Sequence, residues 1–328
     1  MTVATSRTSS PDGQPGRLRQ KLWLIALSIG FASLQVSAEA SGEPIASEGV
    51  RGSISLADAS RQYVDVEGRP LPFATEYEIL DFLENAAIVE ERAAPKGINK
   101  IQRLTLQRGP LRVYAAFRDV EISVPRHRLP DGRVTLNAKD SYRFDPAAYW
   151  VSRLLGLDAV PPAVLRRHRG RRGSLQLWIG NVIDEADRVE RDVAPHAVLW
   201  HWQGAMRQVF DNLIGNYDRN QTNILMDPET WRVWLIDHGR AFLADGRLLQ
   251  PQAITGCERE LFERLRTLEE ETVREHLDEY LDRYEIKALL HRRDEIVERL
   301  EARIMERGES AVLFDLSIRG RPETSRRE

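Results

Sequence analysis

The sequence predicts an α+β protein of two lobes, with strands and helices mixed in the first and mainly helices in the second. Three observations predict it. The chain has 328 residues, enough for two lobes that each bury a core. Through its first half the hydrophobic spacing switches between strand and helix periods. Beyond the acidic stretch at 216–239 the chain carries apolar residues mostly at helical spacing. Hydrophobic residues make up 42% and charged residues 30%, as in an ordinary globular protein. The net charge of -3 provides no global field for nucleic acid.

The N-terminus has the layout of a secretory signal peptide over residues 1–38. Arg7, Arg17, Arg19 and Lys21 precede the uncharged run LWLIALSIGFASL, and Val36-Ser37-Ala38 offers small residues at the cleavage spacing. The run is shorter than the roughly 20 residues a membrane span needs, so the mature chain is expected to hold no stable span. An uncleaved N-terminal anchor is the alternative. The single cysteine, Cys257, allows no internal disulfide and is read as a buried thiol.

Residues 39–74 read as a flexible linker, 75–180 as the first lobe, 181–315 as the helical lobe and 316–328 as a disordered tail. EYEILDFLENAAIVEE (76–91) has helical spacing at Ile79, Leu80, Leu83 and Ala87. INKIQRLTLQRGPLRVYAAFRDV (98–120) alternates on both sides of Arg108-Gly109-Pro110, the pattern of a β-hairpin. FDPAAYWVSRLLGL (144–157) reads as a helix, with proline near its start and glycine near its end. VPPAVLRR and GSLQLWIG read as strands flanking RRHRGRR. That run (Arg166–Arg172) is either a solvated hairpin loop or a docking patch for an acidic or phosphorylated partner. HAVLWHWQGAMRQVFDNLIGN (196–216) reads as a long helix. Two amphipathic helices follow, marked by Leu261 to Leu281 and by Ile286 to Ile304.

The informative stretch is NYDRNQTNILMDPETWRVWLIDHG (216–239). Asp218 precedes Asn223 by five residues, and Asp237-His238-Gly239 follows two short apolar runs joined by the turn DPET. It reads as loop, strand, turn, strand, loop, which brings both acidic loops to one end of a ribbon. Hard divalent cations prefer carboxylate and amide oxygens. Phosphoryl transfer needs such a metal and a group that positions the attacking hydroxyl. Kinase catalytic loops show this Asp-to-Asn spacing and a later Asp-x-Gly. The plain alternative makes Asp218 and Asp237 turn or cap residues. Other chemistries lack their signatures: there is no His-x-x-x-His pair and no Gly-x-Ser-x-Gly elbow.

DNLIGNYDRNQTNILMDPETWRVWLIDHGRAF (211–242) resembles the catalytic segment of atypical kinases: the secretory-pathway kinases related to four-jointed, the HipA-like kinases and the phosphatidylinositol 4-kinases. The resemblance implies a protein-kinase-like fold, ATP with Mg²⁺ or Mn²⁺, and a hydroxyl acceptor on a protein or glycan. It makes Asp218 the catalytic-loop residue that orients or deprotonates the acceptor. Asp237 becomes the main metal ligand and Asn223 a second one. The family's first lobe pairs a strand lysine with a helix glutamate. The matching positions here are Arg118 and Asp145, and arginine is a planar fork where lysine is a point charge. Lysines are scarce, and Lys100 and Lys139 are the other cations that could serve. Gly97 and Gly109 stand alone, so no phosphate loop is assigned. GSLQLWIGN could run beside an adenine, although Gln176 and Trp178 also suit a plain strand. Arg118 thus leaves two further readings open: a pseudokinase that binds nucleotide or metal without transfer, and a non-catalytic exported structural protein.

Overall fold

A computed structural model describes residues 63–93 and 101–315, all within one unit spanning 51–328. The expected signal peptide and tail, Gly97, Lys100 and most of the expected linker lie outside the described residues. Helix α1 (Glu76–Asn85) starts with a capping box between Thr75 and Glu78 and buries Ile79, Phe82 and Leu83. Helical spacing predicts that this helix continues to Glu91. Instead it ends at Ala86, which is extended, and Ala87–Ala93 forms strand β1. Pairing with β2 (Gln102–Arg108) satisfies the backbone of this segment and overrides its local preference.

Strands β2 and β3 (Leu111–Arg118) make the expected hairpin around Gly109, whose φ is +58°. Strands β6 (Ala163–His168) and β7 (Arg171–Leu177) make a second hairpin. Its two-residue turn has positive φ at both Arg169 and Gly170, the geometry that matches strand twist. The five strands run in the order β1-β2-β3-β7-β6. Leu83, Leu104, Leu106, Val113, Phe117 and Leu175 form the core between this sheet and α1. Each such side chain contributes roughly 1.5–3 kcal/mol. Residues 63–74, read as linker from sequence, carry Leu71 into the same core at 4% exposure. Leu71 burial and a hydrogen bond from the Val66 N–H to the Arg112 carbonyl at 3.0 Å hold this segment on the lobe, while the Val64–Pro70 bridge closes it on itself.

Strands β4 (Glu121–Arg128) and β5 (Val134–Ser141) form a separate two-stranded ribbon, a segment to which the sequence reading assigns no element. Pro130-Asp131-Gly132 between alternating runs was its available signal. Helix α2 (Phe144–Leu154) follows and ends before Gly156, whose φ is +65°. Its Phe144, Ala147 and Tyr149 sit in the larger C-terminal core, although its residues belong to the first lobe by sequence.

The C-terminal part adds β8 (Ile183–Asp184), α3 (Glu185–Glu190) and the long helix α4 (Ala197–Ile214). Strands β9 (Ile224–Met226) and β10 (Val233–Leu235) pair antiparallel, as the spacing predicts. After β11 (Cys257–Glu258), the first of the two expected amphipathic helices is split into α5 (Arg259–Thr267) and α6 (Glu270–Leu277). The second is α7 (Arg283–Arg307), capped by Asp282 and Glu285. Strand β12 (Leu313–Phe314) pairs parallel with β11. Cys257 is buried and free. No helix among the described residues is long and apolar enough to cross a membrane.

Candidate active site

Helix α4 ends at Gly215, whose left-handed φ of +60° turns the chain into the loop that carries Asp218. Arg219 lies inward. Its Nε and Nη2 donate to the Asp211 carboxylate at 2.9–3.2 Å. Its Nη1 donates to the carbonyls of Asn223 at 3.0 Å and Ile236 at 2.8 Å. Arg219 therefore braces both ends of the β9–β10 hairpin against α4. Asn216 adds a second brace, donating to Asp211 and accepting from the Asp218 N–H.

These braces leave the Asp218 side chain facing outward at 40% exposure, with Oδ2 accepting from Arg240 Nη1 at 3.2 Å. Partial burial raises the proton affinity of Asp218. Arg240 opposes that rise, while the negative charges of Asp237 and Asp140 add to it. Asn223 is buried, and its side-chain amide donates to the Asp218 carbonyl at 3.4 Å.

Asp237 lies just past β10 with φ of +55°, an uncommon conformation for a residue other than glycine. Such strain persists where surrounding structure enforces it. The enforcing contacts are visible. The next residue, His238, donates its N–H to Asp145 Oδ1 at 3.0 Å, and the Gly239 carbonyl accepts from Ser141 N–H at 2.9 Å. A Cβ on Gly239 would collide with the Arg118 guanidinium, so this position has room for glycine alone.

Arg118, the last residue of β3, is 4% exposed. Its Nη2 donates to Asp140 and lies 3.9 Å from Asp237 Oδ1. Its Nη1 donates to the Ser141 carbonyl at 3.1 Å and lies 3.9 Å from Asp145 Oδ2. Asp145 opens α2, and its Oδ2 accepts from the Ser174 hydroxyl at 3.0 Å. Burial raises its proton affinity, Arg118 counteracts this, and Asp237 reinforces it. The expected partner Asp145 and the expected metal ligand Asp237 thus both lie near Arg118. Asp140, which no sequence motif marked, holds it more closely than either.

Arg240 is the other residue that motif spacing missed. Its Nε donates to Asp140 Oδ2 at 3.0 Å while its Nη1 holds Asp218. Its position directly after Asp237-His238-Gly239 was the available signal; Asp140 had none, because only folding brings β5 to this loop. Lys139 points elsewhere, with Nζ 2.9 Å from Asp282 and 2.7 Å from Glu285 at the start of α7. In the basic run, Arg166 donates to the carbonyls of Leu83 and Ala86 at the end of α1, Arg169 pairs with Glu91, and Arg171 pairs with Asp119. Three of its five arginines thus serve the chain's own lobe.

Asp140, Asp145, Asp218 and Asp237 face the two guanidiniums of Arg118 and Arg240, an excess of two formal negative charges. That charge and the hard oxygen donors of Asp237 and Asn223 fit a divalent cation. Among the described residues no three His, Cys, Asp or Glu form a metal cage. Mg²⁺ in phosphoryl-transfer sites is held by one or two carboxylates together with substrate phosphates, so a full cage is not required.

The sequence matches no protein-family model, and no curated protein matches it. Solved structures do. Hydra Fam20 with sugar aligns with a TM-score of 0.56 and 15% identity, over 80% of this chain and 99% of that one. Golgi casein kinase with Mn/ADP bound aligns with a TM-score of 0.52 and 15% identity, over 76% of this chain and 80% of that one. At such identities the likeness is one of fold. The chain has a kinase-like α+β fold, with a strand-rich N-terminal part and a helical C-terminal part.

Proposed function

We propose that the chain is an exported kinase-like phosphotransferase that moves the γ-phosphoryl group of ATP to a hydroxyl of a protein or glycan. The observation that carries this reading is the convergence of Asp218, Asp237, Arg118 and Asp145 on one site within a kinase-like fold. Asp237 and Asn223 would hold Mg²⁺ or Mn²⁺, which when bound neutralises charge on the phosphates. Asp218 would orient the acceptor hydroxyl and take its proton, with Arg240 fixing the carboxylate. Arg118 would hold Asp237 in place and offer cationic charge to the nucleotide, while Asp145 and the His238 N–H hold the Asp237 loop. The Golgi casein kinase structure with Mn/ADP bound supports the choice of cofactors. The basic run is a proposed contact for an acidic or phosphorylated partner, through Arg167 and Arg172. Export rests on the N-terminal sequence.

A thermal-shift titration of the purified chain with ATP and Mn²⁺ tests the reading. A folded state that binds nucleotide melts higher as ligand rises. Asp237→Ala is expected to lose that shift. Asp218→Ala is expected to keep it while transfer falls by about 10²–10⁴-fold, the usual contribution of a positioned base. Absence of any shift in the wild type at millimolar ATP would sink the reading.

One observation favours a second reading, binding without transfer. The Arg118 guanidinium is buried and already engaged by Asp140 and Ser141. A clear melting shift with no phosphoryl transfer to any acceptor would select it.

A further inference from the structure

Three consecutive residues of β5 reach three different elements. Lys139 pairs with Asp282 and Glu285 at the start of α7. Asp140 receives Arg118 on Oδ1 and Arg240 on Oδ2. Ser141 donates its N–H to the Gly239 carbonyl, and its own carbonyl accepts from Arg118 Nη1 at 3.1 Å. Among the described residues, Asp140 is the side chain that accepts from both Arg118 and Arg240.

The geometry points to Asp140 as a positioning residue that sets the two acidic loops of the site relative to each other. Through Arg118 it reaches the Asp237 loop, and through Arg240 it reaches Asp218. Asp218 and Asp237 carry like charge, so their loops repel unless cations stand between them. The two guanidiniums stand there, and one carboxylate with 10% side-chain exposure anchors both. A planar guanidinium fork transmits position as well as charge, which a flexible ammonium would not. The inference rests on the phosphotransferase reading.

The test compares Asp140→Asn, Asp140→Glu and Arg240→Met with the wild-type full chain. The probe is ATP with Mn²⁺ and water as acceptor, read as ADP release, with nucleotide affinity by calorimetry and melting temperature beside it. Asp140→Asn is expected to weaken nucleotide binding about tenfold and to lower kcat on the order of 100-fold, the scale of small misplacements in a site. Arg240→Met is expected to lower kcat by a similar factor while nucleotide affinity stays within about threefold. Asp140→Glu keeps the charge and is expected to recover part of both losses. A purely structural Asp140 would instead change kcat and affinity only in step with melting temperature, with Glu no better than Asn, and that result overturns the inference. Unchanged variants of an active wild type overturn it too, and leave the phosphotransferase reading standing. In a wild type that binds without turnover, an unchanged affinity in Asp140→Asn overturns the inference and a tenfold loss supports it. A wild type that neither binds nor turns over ATP overturns the phosphotransferase reading, and the inference with it.

Discussion

Gly239 shows how one missing methyl group shapes the site. An alanine Cβ there would collide with the Arg118 guanidinium. Arg118 is buried and tied to Asp140 and Ser141, so it yields only by breaking those contacts. Gly239→Ala is expected to cost about 1–3 kcal/mol, the usual range for overpacking, as read by chemical denaturation. His238 gives a pH-dependent expectation. It is fully buried, its ring nitrogens have no hydrogen-bond partner, and burial holds its pKa well below the usual histidine value. The unfolded chain binds a proton near pH ~6.5 that the folded chain refuses. Stability from the neutral ring is therefore present above that pH and lost as pH falls below it. His238→Leu should flatten the fall in unfolding free energy between about pH 7.5 and 5, relative to the wild type, by up to about 1.4 kcal/mol per pH unit.

At the scale of elements, Arg292 on α7 ties together parts far apart in sequence. It is fully buried, and it donates to the carbonyls of Leu213 and Leu243 at 2.8 Å and of Asp245 at 2.6 Å. Leu213 lies in the last turn of α4, where a cation also suits the helix dipole. Gly215 leaves room for it, since a Cβ there would lie 3.0 Å from the guanidinium. Burial lowers the Arg292 pKa to about 10, and the negative charge of Asp245 only partly opposes it. Arg292→Met strands three carbonyls and is expected to cost about 3 kcal/mol. The denaturation midpoint should fall with its slope unchanged. Helix α1 and strand β1 carry a different lesson. Helical spacing runs through Glu91, but the pairing of Ala87–Ala93 with β2 decides the outcome.

Across the whole molecule, the proposed phosphotransferase reading makes metal and nucleotide binding depend on each other. A metal held by Asp237 and Asn223 alone has few ligands, and phosphates supply more. Mn²⁺ alone is therefore expected to raise the melting temperature less than Mn²⁺ with ATP, and ATP with a chelator less than both. Equal shifts for Mn²⁺ with and without ATP would contradict a site completed by phosphate.

The sequence by itself determined the fold class and the local order of the acidic segment, because both follow from short-range periodicity and spacing. The β9–β10 hairpin and the helices at 144–154 and 197–214 were legible in this way. Tertiary structure alone decided which charges meet. Asp140 and Arg118 lie on different strands and Arg240 on a later loop, and no periodicity links them. Ion pairs depend on distance in space, and the distance between these residues is set by how β5 packs beside the loop after β10.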